Sequence, residues 1–331
     1  MLREGAGKRQ RKRGEMNYGV VNGRIAHALA LVGDRWSLAI LGELFIGLRR
    51  FEEIRRRLGI SRATLTRRLD ALIRDGVVVR KLYSSSRYQY GLSDKGEALC
   101  PFMLLAWRWE QVWADAETRG ATPERLFHAD CNQPLLPVAS CAHCLQSIMS
   151  GDLVLSEAVL QSPIFHSDIR PTGQTRRMGV SRAAGDEDIH LQSVAELIGD
   201  RWTLLIMMTV FFGTGRHEGF TQQLGISSNS LASRLNRLVE VGILVRYDYQ
   251  LNPPRSEYAA TVKGQALYPV IMVLRQWAED WGDGPAPAPL VHRQCGNAAV
   301  LAVECSHCHH VVRRQDILLA PLEPECATGC G

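Results

Sequence analysis

The sequence predicts a mainly α-helical protein with small β-hairpin wings (α+β class), built as two winged helix-turn-helix domains that are each followed by a small Cys/His module. Three observations support this prediction. The 331 residues suffice for about two domains, the sequence repeats itself, and each copy shows the same order of helix, glycine turn, helix and hairpin. No run approaches the roughly 20 apolar residues of a membrane span. We therefore expect a cytoplasmic protein without membrane contact.

The repeat defines the domains. Residues 28–80 align without a gap to residues 194–246, with 22 of 53 positions identical, and the similarity continues through the Cys-rich segments. We therefore predict a basic tail over 1–16, winged helices over 17–117 and 186–283, Cys modules over 118–155 and 284–320, a linker over 156–185 and a C-terminal tail over 321–331.

The first helices of each unit follow from apolar spacing and caps. Ile25, Ala28, Leu29 and Val32 recur at helical intervals, and Gly33 stops that helix. Asp34 is placed to cap a helix over 36–46, and Asp200 a helix over 203–212.

The next two helices have the pattern of a helix-turn-helix. Phe51, Ile54 and Leu58 form one apolar stripe, Gly59 makes the turn, and Ser61 caps a second helix. Such a second helix enters the major groove of DNA, where arginine can bind guanine. The candidate DNA-contacting residues in the two units are Arg49, Arg50, Ser61, Arg62, Thr64, Thr66, Arg67, Arg68, Arg87, Ser228, Asn229, Ser233, Arg234 and Arg237.

A hairpin and a long helix complete each unit. Residues 77–83 and 87–92 are rich in β-branched and aromatic residues around a serine-rich tip, which predicts a wing. Long helices are predicted over 94–117 and 262–280. Each carries two tryptophans four residues apart, Trp109 with Trp113 and Trp277 with Trp281, and these stripes favour packing over a ligand box.

Charge distinguishes the two units. Residues 17–115 carry a net charge of +6, the tail over 1–16 adds +4, and residues 186–283 carry −4. Basic side chains that neutralise phosphates favour nucleic-acid binding, although a solvated basic face would have the same composition. We expect the first unit to make most phosphate contacts, while the second reads an unlike half-site or serves as a scaffold.

Each Cys module has the spacing H-x2-C-x9-C-x2-C, which indicates a metal site. Three cysteines and one histidine are a ligand set for tetrahedral structural zinc. We predict two zinc sites, one per module, with the ligands His128, Cys131, Cys141 and Cys144 in the first, and His292, Cys295, Cys305 and Cys308 in the second. His143 and His307 are alternative fourth ligands, and reduced metal-free thiols are the alternative state. Cys326 and Cys330 have no repeat partner, and Cys100 is expected to be buried.

The run from AHALALVGDRW through LGISRATLTRRLDALIRDGVVVRKLY and YGLSDKG resembles the HxlR-type winged helix-turn-helix transcriptional regulators. So does the second run, from VAELIGDRW through LGISSNSLASRLNRLVEVGILVRYDY. The resemblance implies DNA binding by a homodimer that packs through its first and last helices; in one chain this becomes an intramolecular pseudo-dimer. Some members sense oxidants through a cysteine before the first helix, and this chain departs from them with Asn22-Gly23 and Ile189-His190.

These observations predict a sequence-specific transcriptional regulator whose partner is a double-stranded DNA operator. A small-molecule effector and further self-association are compatible with this prediction. No phosphate-binding loop, nucleophile elbow or HExxH motif stands in the sequence, so we expect no enzyme. Two alternatives stay open: a protein-interaction module with a degenerate second winged helix, and a metal- or redox-responsive switch.

Overall fold

The computed structural model describes residues 23–47, 49–84, 87–115, 123–156, 191–198, 200–212, 215–224, 226–251, 254–283 and 289–320. The predicted basic tail, residues 157–185 of the predicted linker and the C-terminal tail with Cys326 and Cys330 lie outside these residues. In the described part, no helix has the length and apolar character needed to cross a membrane.

The first half of the chain contains a winged helix followed by short strands. The winged helix comprises α1 (Gly23–Val32), α2 (Arg35–Phe45), α3 (Phe51–Arg57), α4 (Arg62–Arg74), β1 (Val78–Ser84), β2 (Arg87–Leu92), α5 (Asp94–Glu97) and α6 (Cys100–Trp113). The first Cys module contributes β3 (Phe127–His128), β4 (Gln133–Pro134), β5 (Pro137–Cys141) and β6 (Leu153–Leu155).

The second half repeats this order. Its winged helix comprises α7 (Gln192–Ile198), α8 (Arg201–Phe212), α9 (His217–Leu224), α10 (Ser228–Glu240), β7 (Leu244–Leu251), β8 (Pro254–Ala260), α11 (Val262–Gln265) and α12 (Tyr268–Trp281). The second Cys module contributes β9 (Leu290–His292), β10 (Leu301–Cys305), a 3-10 turn (Arg314–Asp316) and β11 (Ile317–Leu318). The predicted α+β class with two winged helices is confirmed.

Local chemistry explains the helix-turn-helix. Ser61 accepts a hydrogen bond from the backbone N–H of Thr64 (3.2 Å) and so caps α4. Gly59, at φ +59°, makes the turn between α3 and α4, a left-handed conformation that glycine adopts without steric cost. The inner face of α4 is buried through Leu65, Leu69 and Leu72, as the apolar spacing predicts.

The predicted long helices over 94–117 and 262–280 are wrong in one respect, because each is broken into a short helix and a longer one. Pro101 and Pro269 lie in the second position of α6 and α12. Proline has no N–H, and its ring collides with the carbonyl four residues earlier, so a helix starts at such a position but does not continue through it. The α5 and α11 turns therefore end before the prolines.

The two units pack through their last helices with reciprocal contacts. The indole N–H of Trp109 donates to the carbonyl of Lys263 (3.1 Å), and the indole N–H of Trp277 donates to the carbonyl of Lys95 (2.9 Å). Both rings are almost fully buried. The prediction that the tryptophans serve packing is confirmed for this pair.

First helices also pack against the last helix of the other unit. Arg24 of α1 donates to the carbonyl of Glu279 in α12 (2.6 Å). In the opposite direction, the carboxylate of Glu110 in α6 accepts from the backbone N–H groups of Ser193 and Val194 at the start of α7, both at 3.1 Å. This exchange of first and last helices gives the chain an approximate two-fold symmetry.

The two Cys modules are interwoven. β5 pairs antiparallel with β10, β6 pairs with β9, and β11 pairs with β3. Every one of these ladders joins a strand of the first module to a strand of the second. The modules therefore form one shared body and not two separate knuckles.

Candidate nucleic-acid interface and metal centres

The outer face of α4 in the first unit is exposed and basic. Arg62, Thr66 and Arg67 are exposed, and Ser61 is exposed at the helix start, while Thr64 is half-buried beside its cap. Arg62 forms an ion pair with Glu52 of α3 and lies over the Phe51 ring, with the guanidinium carbon 5.3 Å from the ring centroid. Its charge is thus partly balanced within the protein.

The wing and the loop before α3 extend this basic surface. Arg49, Arg50 and Arg87 are exposed, and the carbonyl of Arg49 accepts from the backbone N–H of Tyr90 at 2.8 Å, which ties the loop to β2. Two exposed cations on β1, Arg80 and Lys81, belong to the same wing but are missing from the candidates predicted from sequence. Both lie within the predicted hairpin, and as neighbours on one strand they project from its opposite faces.

Arg68, also predicted as a DNA contact, does not share the exposed face of α4. Its guanidinium pairs with the Asp34 carboxylate at 2.7 Å, and its side chain is 19% exposed. Asp34 also caps α2 by accepting from the backbone N–H of Ser37 (3.0 Å). Arg68 therefore joins α4 to the start of α2, which is a structural role.

Arg234, the predicted DNA contact at the same position of the second unit, is placed in the same way. Its guanidinium pairs with Asp200 at 2.5 Å, and the two side chains are 13% and 5% exposed. Asp200 in turn accepts from the backbone N–H of Trp202 and from the Thr203 hydroxyl, both at 3.2 Å. Asp34 and Asp200, which the sequence predicts as helix caps, thus also form ion pairs with α4 and α10.

The outer face of α10 is polar but has few cations. Ser228, Asn229 and Ser233 are exposed at the positions that correspond to Arg62, Ala63 and Arg67 of α4. Arg237 lies beside Glu240, with the nearest charged atoms 3.8 Å apart. The second recognition helix can therefore donate hydrogen bonds but offers much less positive charge than the first.

The structure gathers all eight predicted metal ligands, but it pairs them across the modules. One cluster contains His128, Cys131, Cys305 and Cys308, and the other contains Cys141, Cys144, His292 and Cys295; within each, the ligand atoms all lie within 4.8 Å of one another. The expectation of one site per module is thus wrong. The cause is the strand pairing, because β5 and β10 place the CxxC turn of each module beside the HxxC turn of the other.

The distances within the clusters suit a tetrahedral ion. The Nδ1 atom of His128 lies 3.5 Å from Sγ of Cys131 and 3.2 Å from Sγ of Cys308, and His292 lies 3.4 Å from both Cys144 and Cys295. Sulfur atoms are 3.9 Å apart in the Cys131–Cys305 and Cys141–Cys295 pairs. Four ligands at about 2.0–2.3 Å from one ion stand roughly 3.4–3.8 Å apart. A disulfide would require about 2.05 Å.

Burial supports ligand roles for the two histidines. His128 and His292 are almost fully buried, whereas His143 and His307, the alternative fourth ligands, are exposed and lie outside both clusters. The backbone N–H of Asn297 lowers the pKa of the Cys295 thiol to about 6. Thiolate is the form that binds metal ions, so this hydrogen bond favours ligation.

Two similar units, each with a helix-turn-helix and a paired wing, define a tandem winged helix-turn-helix protein. A family model described as HxlR-like helix-turn-helix matches residues 31–118 and again residues 197–285, together more than half of the chain. The chain therefore belongs to the HxlR-like helix-turn-helix family, as the sequence motifs predict.

Relatives and solved structures match single copies. The uncharacterised HTH-type transcriptional regulator Rv3095 of Mycobacterium tuberculosis is 40% identical over 129 residues, which cover 38% of this chain and 81% of that protein. YdeP of Bacillus subtilis, also an HTH-type transcriptional regulator, is 27% identical over 112 residues, covering 33% and 88%.

Among solved structures, the reduced form of the transcriptional regulator YodB from B. subtilis shares 32% identity, covers 27% of this chain and 89% of its own, and has a TM-score of 0.25. A putative transcription factor from Pseudomonas aeruginosa, PA1374, shares 28% identity, covers 41% and 91%, and has a TM-score of 0.30.

Proposed function

We propose that the protein is a DNA-binding transcriptional regulator that acts as an intramolecular pseudo-dimer, with two zinc ions that join its halves. The observation that carries the proposal is the exposed basic face of α4 with its wing, in a chain of the HxlR-like family. The reciprocal tryptophan contacts support the pseudo-dimer, because they hold two recognition helices in one body. A fixed separation between recognition helices is what a two-part operator requires.

The two units have unequal tasks in this proposal. The first supplies phosphate contacts and base contacts through Arg62, Arg67 and the wing residue Arg87. The second, whose outer face carries Ser228, Asn229 and Ser233, reads bases through neutral hydrogen-bonding groups. The expected operator is therefore asymmetric, with two unlike half-sites.

The docking alternative, in which the second unit binds a protein through its tryptophan-bearing helix, is not favoured by the geometry. Trp277 is buried against the first unit and donates its N–H to Lys95. Of the two tryptophans on that helix, only Trp281, at 39% exposure, is accessible.

Selection from a randomised duplex library tests the DNA-binding part. We expect enrichment of a gapped motif with two unlike halves, and binding that weakens steeply with salt. Arg67→Ala should reduce the slope of log K against log salt by about 1 if Arg67 contacts one phosphate. Arg125→Ala removes an exposed arginine outside both winged helices and serves as the charge-matched control. A flat salt profile without enrichment would refute the proposal.

The zinc part is tested by counting ions per chain in paired variants. Wild type should hold about two zinc ions if both four-ligand clusters are filled. Cys131 and Cys308 belong to one cluster, so the double variant Cys131→Ser/Cys308→Ser should keep one ion. Cys131→Ser/Cys144→Ser removes a ligand from each cluster and should lose both ions. If Cys131→Ser/Cys308→Ser lost both ions and Cys131→Ser/Cys144→Ser kept one, each module would bind its own zinc.

A further inference from the structure

A pocket in the first unit lies beside the buried Cys100. It has a volume of about 100 Å³ and opens between α2 and α6. Its walls are apolar and include Phe45, Met103 and Trp107. The indole N–H of Trp107 already donates to the carbonyl of Pro123 (2.7 Å), so this ring presents its apolar surface to the pocket. Burial raises the pKa of the Cys100 thiol to about 12, which keeps this wall uncharged.

The second unit has larger side chains at the corresponding positions. Cys100 and Tyr268 are both the first residue of the last helix and are both followed by proline. Within the aligned repeat, Gly42 and Ile46 correspond to Met208 and Phe212. The pocket of the first unit thus arises where three larger residues of the second unit are replaced by smaller ones.

The Tyr268 ring shows which shape this place in the fold accepts. Tyr268 is fully buried, and its ring meets that of Phe211 edge to face, with centroids 5.0 Å apart and an interplanar angle of 89°. Phe45, the counterpart of Phe211, lines the pocket of the first unit. The aromatic partner is therefore retained although the tyrosine is not. A cavity lined by aliphatic and aromatic side chains can bind a benzene ring.

We propose that the pocket beside Cys100 binds a small apolar molecule with one aromatic ring, which takes the place that the phenol ring of Tyr268 fills in the second unit. The occupant is an effector, because the pocket is lined by both halves of the chain. Leu191, directly before α7, and Ile317 of β11 contribute to it alongside α2 and α6. Since α2 also packs against α4, the occupant is positioned to change the separation of the recognition helices. This regulatory role depends on the proposed DNA-binding function, whereas the binding site does not.

The test uses 4-methylphenol, which is the tyrosine side chain as a free molecule, and measures binding to the full zinc-loaded chain by calorimetry without DNA. We expect one site per chain. Cys100→Tyr should fill the pocket and weaken binding at least about tenfold, whereas Cys100→Ala, the matched control, should still bind. Leu319→Trp gives a second block, because Leu319 lines the pocket and is 55% exposed, so folding should tolerate the change.

Two results would overturn the proposal. Wild-type protein that binds no 4-methylphenol at millimolar concentration, or folded Cys100→Tyr and Leu319→Trp variants that bind as wild type does, would refute the site. The effector role is tested with the operator selected above: saturating 4-methylphenol should shift the DNA affinity of wild type but not that of Cys100→Tyr. Equal affinity of wild type with and without the probe would refute the effector role. Because probe binding is measured without DNA, failure of the DNA-binding proposal would not affect the first test.

Discussion

Arg67 and Arg68 are neighbours on the recognition helix, yet their substitution should affect different properties of the protein. Arg67 is exposed on the outer face of α4. Arg68 points inward and pairs with Asp34 at 2.7 Å, where the side chains are 19% and 9% exposed. We predict that Arg68→Ala destabilises the fold, whereas Arg67→Ala weakens DNA binding and leaves the fold intact.

The magnitude follows from the burial of the pair. Removal of one partner from a fully buried ion pair costs about 3–5 kcal/mol, while an exposed pair contributes about 0–1 kcal/mol. The Asp34 pair is mostly shielded from water, so we expect Arg68→Ala to lower the free energy of unfolding by about 2–3 kcal/mol. Arg67→Ala should change it by less than about 0.5 kcal/mol, since it is a surface substitution.

Urea denaturation and DNA binding at one fixed salt concentration separate the two effects. Arg234→Ala, which breaks the equivalent pair with Asp200, is the matched control and should also destabilise the protein. Arg68→Ala should keep near-normal DNA affinity at temperatures where it remains folded. An Arg68→Ala variant of wild-type stability with much weaker DNA binding would refute the assignment and place Arg68 at the DNA.

Three further predictions concern the contacts between units and the charge on the recognition surface. Burial raises the pKa of the Glu110 carboxyl group from 4.5 to about 6, so the folded state holds the carboxyl proton more tightly than the unfolded state does. As the pH rises from 4.5 to above 6, wild type should therefore lose about 2 kcal/mol of stability relative to Glu110→Gln, which does not titrate. A pH-independent difference in urea midpoints would contradict this. Trp109→Phe removes the hydrogen bond to Lys263 and should cost about 1–3 kcal/mol, and an unchanged thermal midpoint would argue against that contact. Glu52→Gln removes the carboxylate that neutralises Arg62, so DNA affinity in a filter-binding titration should increase; weaker binding would show that Glu52 positions Arg62.

Much of each unit could be predicted from sequence because its signals are local. Ser61 caps α4 as predicted, Asp34 caps α2, and Cys100 is buried. The divided last helix also had a local signal, since Pro101 and Pro269 cannot continue a helix from the preceding turn.

Comparison of the two copies also indicates the inward orientation of Arg68 and Arg234. Most arginines of α3 and α4 are replaced by neutral residues in the second unit, but Arg68 persists as Arg234, and Asp34 persists as Asp200. A cation that is kept together with one acidic residue, while the surrounding positive charge is lost, is better explained by an internal ion pair than by phosphate contact. Helical spacing points the same way, because Arg68 stands three residues after Leu65 and four before Leu72 and so borders the buried face of α4.

The pairing of the predicted metal ligands could not be derived from spacing. The two modules have the same ligand spacing, so sites formed within each module and sites formed between the modules are equally compatible with the sequence. The ligand pairing depends on the antiparallel pairing of β5 with β10, which is a contact between segments about 160 residues apart. This pairing between modules has a consequence for the duplicated chain. With Cys/His clusters and strand pairs drawn from both modules and tryptophans bonded across the units, the two copies are held together independently of their recognition helices. The copies are then free to diverge at those helices and in their interiors: the first unit keeps its exposed arginines and an open pocket at Cys100, and the second has a neutral recognition face and an interior filled by Tyr268.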